Sequence, residues 1–220
     1  MDLVVSLGGA VVADAVEDGD LDRYVDALAD LAAGSGTLVV VPGAGPLKRY
    51  IDAADRFDAP EARKDLIGIQ ATRLHASLLA AALDANAEIP EKPEEVADMA
   101  VSQDVIVAGG FIPGQSTDAV AAQCAEIIDA DRLVFASTVD GIYTGDPETG
   151  AAERYEEIGY DELIDLVREK EASAGGYALV DLLAAKLVQR SGLDAVVLDG
   201  RDPAILSDAA SQSPPGTRIH

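Results

Sequence analysis

An α/β fold is what this sequence predicts: a mostly parallel central sheet between two layers of helices, a three-layer αβα sandwich. Three observations predict it. Five short, Val-rich apolar runs end in glycine or a small polar turn. None of them alternates polar with apolar residues, which is the pattern of parallel strands buried on both faces. Between the runs, apolar residues recur at helical spacing, and strands alternating with helices fold as a parallel sheet covered on both sides. At 220 residues the chain suits one large α/β domain, and we expect residues 1–220 to form a single one.

In chain order, residues 3–7 form the first strand, stopped by Gly8-Gly9. Asp20 caps a helix that continues through Leu21, Tyr24, Val25, Leu28 and Leu31. Residues 38–41 are the second strand, and the turn Pro42-Gly43-Ala44-Gly45 leads into a helix around Lys48. Ile67, Leu74 and Leu78 mark a helix over 66–83. The acidic stretch 85–103, with Pro90 and Pro93, reads as a loop or a strap across one face. Residues 105–108 are a strand ending in Gly109-Gly110, and Asp118 opens a helix with Val120, Cys124, Ile127 and Ile128 on one face. Residues 133–136 make a strand before Ser137-Thr138. The stretch 144–154, punctuated by Gly145, Pro147 and Gly150, reads as a lid or as an ordinary surface loop. Helical patterns over 161–167 and 179–190 precede a strand at 196–198. Pro214-Pro215 turns the chain into a final short strand.

Composition narrows the function. With nine aromatic residues and no Trp, the core must be Val, Leu, Ile and Ala. No apolar run approaches the ~18 residues of a membrane span, and no basic leader precedes the first strand. We therefore expect a cytoplasmic protein with no membrane partner. The lone Cys124 excludes an intrachain disulfide and reads as a small buried hydrophobe. A net charge of -24, from 40 acidic and 16 basic residues, would repel a polyanion and argues against a nucleic-acid partner. The acids are scattered, with only five lysines to offset them, which predicts a halophilic protein whose self-repulsion is screened by salt.

Chemistry collects at the glycine turns, because ligands of open parallel sheets bind at the carboxyl edge of the strands. The stretch from Val105 to Ile128 is strand, small-residue loop and helix, an arrangement that can aim backbone N–H groups at an anion or be a plain tight turn. Residues 48–73 are net +1 while the rest of the chain carries -25. Lys48 and Arg49 can serve a bound phosphate at a helix N-terminus, or pair with Asp52 and Asp55. Neither His75 nor His220 has metal-ligand spacing, and no nucleophile motif, P-loop or GxGxxG is present. What remains suits phosphoryl transfer by positioning and electrostatics.

Five stretches carry a resemblance. VSLGGAVV (5–12), KDLIGIQATRL (64–74), AGGFIPGQSTDAVAA (108–122), ASTVDGIYTGDP (136–147) and DLLAAKLVQRSG (181–192) are similar to segments of the amino acid kinase superfamily. Within it the chain resembles the UMP kinases, nearest their archaeal branch, almost end to end. The resemblance implies the amino acid kinase fold and ATP-dependent phosphorylation of UMP to UDP in pyrimidine biosynthesis. It implies Mg²⁺ carried with ATP and no protein metal ligand set. Gly9, Ala10, Ala44 and Lys48 would face the ATP phosphates, and Ser137, Tyr143 and Asp146 the adenosine. Gly43, Asp65 and the loop Phe111, Ile112, Pro113, Gly114, Gln115, Ser116 and Thr117 would hold UMP. Asp118 would be the catalytic aspartate, orienting donors around the transferred group. A homohexamer, a trimer of dimers, is implied as well, for which the sequence offers the apolar face Leu21, Val25 and Leu28, a face that suits the core equally.

The chain departs from the family pattern at four positions. Ser6 replaces a lysine, Pro42 removes a backbone donor from the usual triple glycine, and His75 and Thr138 replace asparagines. Two alternatives therefore stand beside the kinase reading: a nucleotide-binding regulatory protein of the same fold, or a superfamily kinase acting on a carboxylate or carbamate.

Overall fold

The structure, a computed structural model, describes residues 1–145, 152–172 and 180–220. Its centre is a seven-stranded sheet in the order β3-β2-β1-β4-β6-β7-β5. The strands are β1 Leu3–Leu7, β2 Leu38–Pro42, β3 Val105–Val107, β4 Arg132–Ser137, β5 Glu157–Ile158, β6 Ala195–Asp199 and β7 Thr217–Ile219. All five predicted apolar runs are strands, and they pair parallel, Leu3 facing Leu38 on one side and Arg132 on the other. β7 runs antiparallel to β6, so the sheet is mostly parallel, as expected.

Burial on both faces explains the absence of alternation in the strands. Val4, Val39, Ile106, Leu133 and Val197 point into one apolar cluster, completed by α5 (Pro93–Ala100), α6 (Thr117–Ile127), α7 (Tyr160–Ala172) and α8 (Leu182–Ser191). Their neighbours Leu3, Val5, Leu38, Val40, Val134 and Val196 point into a second cluster, packed by α1 (Gly9–Glu17), α2 (Leu21–Ala33) and α4 (Glu61–Ala82). The two clusters and the sheet make the three layers. Cys124 is fully buried in the first cluster, and desolvation pushes its thiol up to about 12. It is a hydrophobe here, not a nucleophile.

Four expectations need correction. The first strand leads directly into α1, a helix the glycine turn concealed. The stretch 85–103 is not a strap throughout, since Pro93 starts α5 at the position where a missing N–H costs nothing, with Glu94 and Glu95 in its first turn. Asp20 stands at the N-cap of α2 without a side-chain capping bond. Finally, Tyr24, Ala27, Leu28 and Leu31 of α2 are core residues, so that face is not available to a partner. The unpartnered apolar stripe lies on α4 instead. Leu66, Leu74 and Leu78 are 51%, 60% and 44% exposed, and the helix buries its opposite side through Ile69, Thr72, His75, Ala76 and Leu79. The helix predicted from Leu179 is described from Leu182; residue 179 itself lies outside the described residues.

One buried ion pair ties the far end of the sheet together. Arg132 at the start of β4 is almost wholly buried, and its Nε donates to Asp194 Oδ2 at 2.8 Å. Its guanidinium also donates to the Ala209 and Ser211 carbonyls at 2.8 and 2.7 Å, and Arg218 shares Asp194 at 3.2 Å. Removing one partner of such a pair leaves a buried charge uncompensated and typically costs about 3–5 kcal/mol. Asp194→Ala is therefore expected to lose stability of that order in urea unfolding at molar salt, and a loss below about 1 kcal/mol would show that Arg132 finds water instead.

Candidate active site

From β1 the chain winds outward through β2 and β3, then returns to lay β4 on the other side of β1. The strand order therefore reverses beside β1, and an open parallel sheet binds ligands outside the carboxyl ends at such a reversal. A cleft of about 690 Å³ opens there, lined by the turns after β1, β2 and β3 and by one face of α4.

The turn after β1 is a helix start. Gly8 precedes α1, and Gly9 and Ala10, the first residues of that helix, line the cleft. The first N–H groups of a helix have no partner within it and, with the helix dipole, suit an anion. The turn after β2 presses against this one. A Cβ at Gly43 would stand 2.5 Å from the Gly9 nitrogen and 2.6 Å from its Cα, so only glycine permits the contact. Both backbone groups of Gly43 are already bonded: its N–H donates to the Leu7 carbonyl at 2.8 Å, and its carbonyl accepts from His75 Nδ1 at 2.9 Å. Gly43 is thus a spacer, and Ala44 and Gly45 are left as the turn's anion donors. Gly45 has φ +50°. Lys48 begins α3 (Lys48–Asp55) and also lines the cleft. Asp55 pairs not with Lys48 but with Lys64 across the α3–α4 junction, at 2.7 Å. Asp55 first and Glu61 second hold the Lys64 ammonium firmly protonated.

The Gly109-Gly110 turn after β3 serves close approach. A Cβ at Gly109 would sit 2.7 Å from Arg73 Cγ and 3.0 Å from the Arg73 backbone. The Gly110 N–H donates to Thr72 Oγ1 at 2.8 Å, and its carbonyl accepts from Arg73 Nε at 3.0 Å. Here the tight-turn reading holds, and the two glycines dock the following loop on α4. Beyond them Phe111 is buried in the core and does not line the cleft, while Ile112, Gln115, Ser116 and Thr117 do. Pro113 and Gly114 are exposed at the loop tip. The Gly114 N–H donates to Asp65 Oδ2 at 3.0 Å, which brings Asp65 and the loop together.

Asp118 stands in the first turn of α6 but does not cap it. Ser116 does, its Oγ accepting from the Ala119 N–H at 3.0 Å and donating to Asp181, the N-cap of α8. Asp118 turns under the loop to the end of β1, where Ser6, 1% exposed, donates its hydroxyl to Oδ1 at 2.6 Å. Burial raises the Asp118 carboxyl to about 6, eased by the Ser6 bond and reinforced by the Asp181 charge.

Ser137 and Tyr143, two of the residues expected around adenosine, do not line this cleft. Ser137 ends β4, its carbonyl taken by the Gly200 N–H at 2.7 Å. Tyr143 lies farther on, bridged antiparallel to Arg154, with its hydroxyl on Asp140 at 2.7 Å. Asp146, Pro147 and Gly150 lie outside the described residues. Sequence reasoning missed Gly68, Ile69 and Thr72, which line the cleft. Their signal was the helical spacing that continues from Asp65.

Fold and cleft together define a class: α/β proteins with an anion-suited, glycine-lined cleft at the carboxyl edge of a parallel sheet. The chain belongs to the amino acid kinase family, whose sequence profile matches residues 1–199. It is 42% identical to a uridylate kinase of Natronomonas pharaonis, over 100% of this chain and 98% of that one. A uridylate kinase of Haloarcula marismortui is 45% identical over 92% of this chain and 91% of its own. The crystal structure of uridylate kinase from Archaeoglobus fulgidus superposes with a TM-score of 0.90 at 35% identity, both chains covered in full. That of UMP kinase from Bacillus anthracis gives 0.82 at 19% identity, a likeness of fold.

Because the Asp118 carboxyl titrates higher in the fold than in an unfolded chain, its stabilising contribution is complete below pH ~4 and lost as pH rises through about 6. At pH 8 the native state holds an unwelcome charge. Asp118→Asn is expected to raise stability by about 1–3 kcal/mol at pH 8 in metal-free buffer and to change little at pH 4.5. Urea titrations at the two pH values check this, and equal effects at both would overturn it.

Proposed function

We propose that the protein is a UMP kinase, a nucleoside monophosphate kinase that moves the γ-phosphoryl group of ATP to UMP and so forms UDP for pyrimidine biosynthesis. The observation that carries it is one cleft joining the α1 N-terminus and the Gly43–Gly45 turn to Asp65 and the loop over α6. The near full-length identity to archaeal uridylate kinases supports the choice of substrate. On this reading residues 1–220 act as one domain. Gly9, Ala10, Ala44 and Lys48 attend the ATP phosphates, with Ser137, Tyr143 and Asp146 at the adenosine. Asp65 and the 111–117 loop hold UMP, the ring of Phe111 supporting the loop from beneath, and Gly43 sets the spacing.

The chemistry needs little from side chains. The second pKa of a phosphate monoester is near ~6, so near neutral pH the UMP oxygen is already a nucleophile and no general base is required. The protein aligns two nucleotides and offsets charge on the group in flight. Mg²⁺ is held by one or two carboxylates together with substrate phosphates and water. The donors present fit that habit: Asp118 keeps one oxygen beside its Ser6 bond, and Asp118 is the residue that would face the ion. When bound, Mg²⁺ would supply positive charge against the phosphates. Asp118 also holds the donors near it in register, and Lys48 brings a cation to the phosphates. Asp118→Asn should therefore lower kcat by about 10²–10³ while both nucleotides still bind.

The exposed leucines of α4 support assembly through that helix, in a homohexamer built as a trimer of dimers, and the scattered acidity supports a halophilic, cytoplasmic enzyme. No described helix is long and apolar enough to cross a membrane.

A coupled assay for ADP with UMP, ATP and Mg²⁺ in molar salt tests the activity, and no turnover with UMP beside turnover with a carboxylate or carbamate acceptor would refute it. Asp65→Asn should raise the UMP KM and leave the ATP KM nearly unchanged, since an amide only partly replaces charge-assisted bonds to ribose hydroxyls; equal losses for both would make Asp65 a brace for Gly114. Light scattering and melting curves from 1 M to 0.01 M salt should show a hexamer that destabilises as the Debye length grows from ~3 to ~30 Å. A monomer in molar salt, or a flat melting temperature, would refute the corresponding half.

A further inference from the structure

His75 belongs to no part of the chemistry above, yet it is buried beneath the cleft at 5% exposure. Its Nδ1 lies 2.9 Å from the Gly43 carbonyl oxygen. A carbonyl can only accept, so Nδ1 must carry the proton. The same ring packs under the next glycine, two residues on, because a Cβ on Gly45 would stand 3.1 Å from His75 Cε1. The imidazole is thus wedged below both glycines of the turn that presses against Gly9. Thr72, one turn earlier on the same face of α4, accepts from the Gly110 N–H, so the helix holds that turn by the opposite sense of bond. One face of one helix fixes the turns after β2 and β3.

We propose that His75 is a positioning residue: its Nδ1–H fixes the Gly43 carbonyl, and through it sets where the Ala44 and Gly45 amides meet a phosphate. The role depends on a donor at the Nδ1 position and not on ring bulk or charge. Both the neutral Nδ1–H tautomer and the imidazolium supply that donor. An asparagine places its Nδ2–H where Nδ1–H was, whereas a glutamine places its N–H a bond farther out. Leucine fills the space and donates nothing. The proposal rests on the reading of the turn as a phosphate site in a UMP kinase.

The test uses the full chain in molar salt, with His75→Asn, His75→Gln and His75→Leu. Steady-state kinetics, melting temperature and calorimetric binding of inorganic pyrophosphate are measured for each. We expect His75→Leu and His75→Gln to lose kcat/KM by about 10- to 10²-fold, the scale of a cradle misplaced by an ångström. Pyrophosphate affinity should fall with it and melting change little, and His75→Asn should restore both. The chain has only two histidines, so ¹⁵N spectra of the wild type read the tautomer directly. His75 must show a protonated Nδ1, its signal assigned by its loss in His75→Asn. Should the wild type not phosphorylate UMP, the kinase reading fails, and pyrophosphate binding with the nitrogen spectrum still decides the positioning role. An unprotonated Nδ1 would overturn the proposal even if the variants failed to fold. So would folded Leu and Gln variants with wild-type kcat/KM and pyrophosphate affinity, or an Asn variant no better than Leu.

Discussion

The contact between the Gly9 and Gly43 backbones is the constraint on which the rest of the site depends. Two parallel strands side by side bring their carboxyl ends within a strand spacing of each other, about 4.8 Å. Both turns must then leave the sheet through the same narrow space. With no Cβ on either residue, the start of α1 and the start of α3 can open onto one cleft. With a methyl group at position 43, the turns would be forced apart and the donors of each would address a separate region. The glycines are therefore about proximity more than flexibility, and the bonds that hold Gly43, from Leu7 below and His75 beside it, fix that proximity in place.

A cleft for polyanions inside a chain of charge -24 looks contradictory until the charges are located. The cleft wall is made of backbone amides, a helix start, Lys48 and Lys64, with Lys64 anchored by Asp55 and Glu61 at the rim. Carboxylates near the reacting region are individually tied: Asp181 accepts from two backbone amides and Ser116, Asp65 accepts from Gly114, and Asp118 accepts from Ser6. The surface acids are separated from the site by solvent that, at high ionic strength, screens them within a few ångströms. Local field and overall charge are thus set by different residues and can differ in sign.

Much of this was legible before any coordinates. Parallel strands buried on both faces are continuous apolar runs ended by glycine or a small polar turn, and all five announced themselves that way. Helix α1 did not, because Ala10, Val11 and Val12 follow the glycines at once, with no capping side chain to mark a helix start. The periodic leucines of α4 marked the helix but not the side it buries. The face it buries is Ile69, Thr72, His75, Ala76 and Leu79, as apolar on average as the face it exposes, so the pattern had no preferred direction. Site residues within one stretch, such as the 111–117 loop, were legible from motif. Contacts made across the fold were not: 112 residues separate Ser6 from Asp118, and no local pattern connects them.

The outward stripe on α4 has a colloidal consequence. From Leu66 to Ala82 the helix carries no acidic residue, in a chain that places 40 of them elsewhere. The carboxylate coat that keeps this protein hydrated therefore has a gap, and the gap coincides with the exposed leucines. Solubility in brine depends on water held by carboxylates, and a bare leucine row is what concentrated salt drives out of solution. If the acidity is an adaptation to brine, an isolated chain would be strained by self-repulsion in dilute salt and made adhesive by its uncoated helix in strong salt. A second copy seated on that row would reconcile the acidic surface with such a medium.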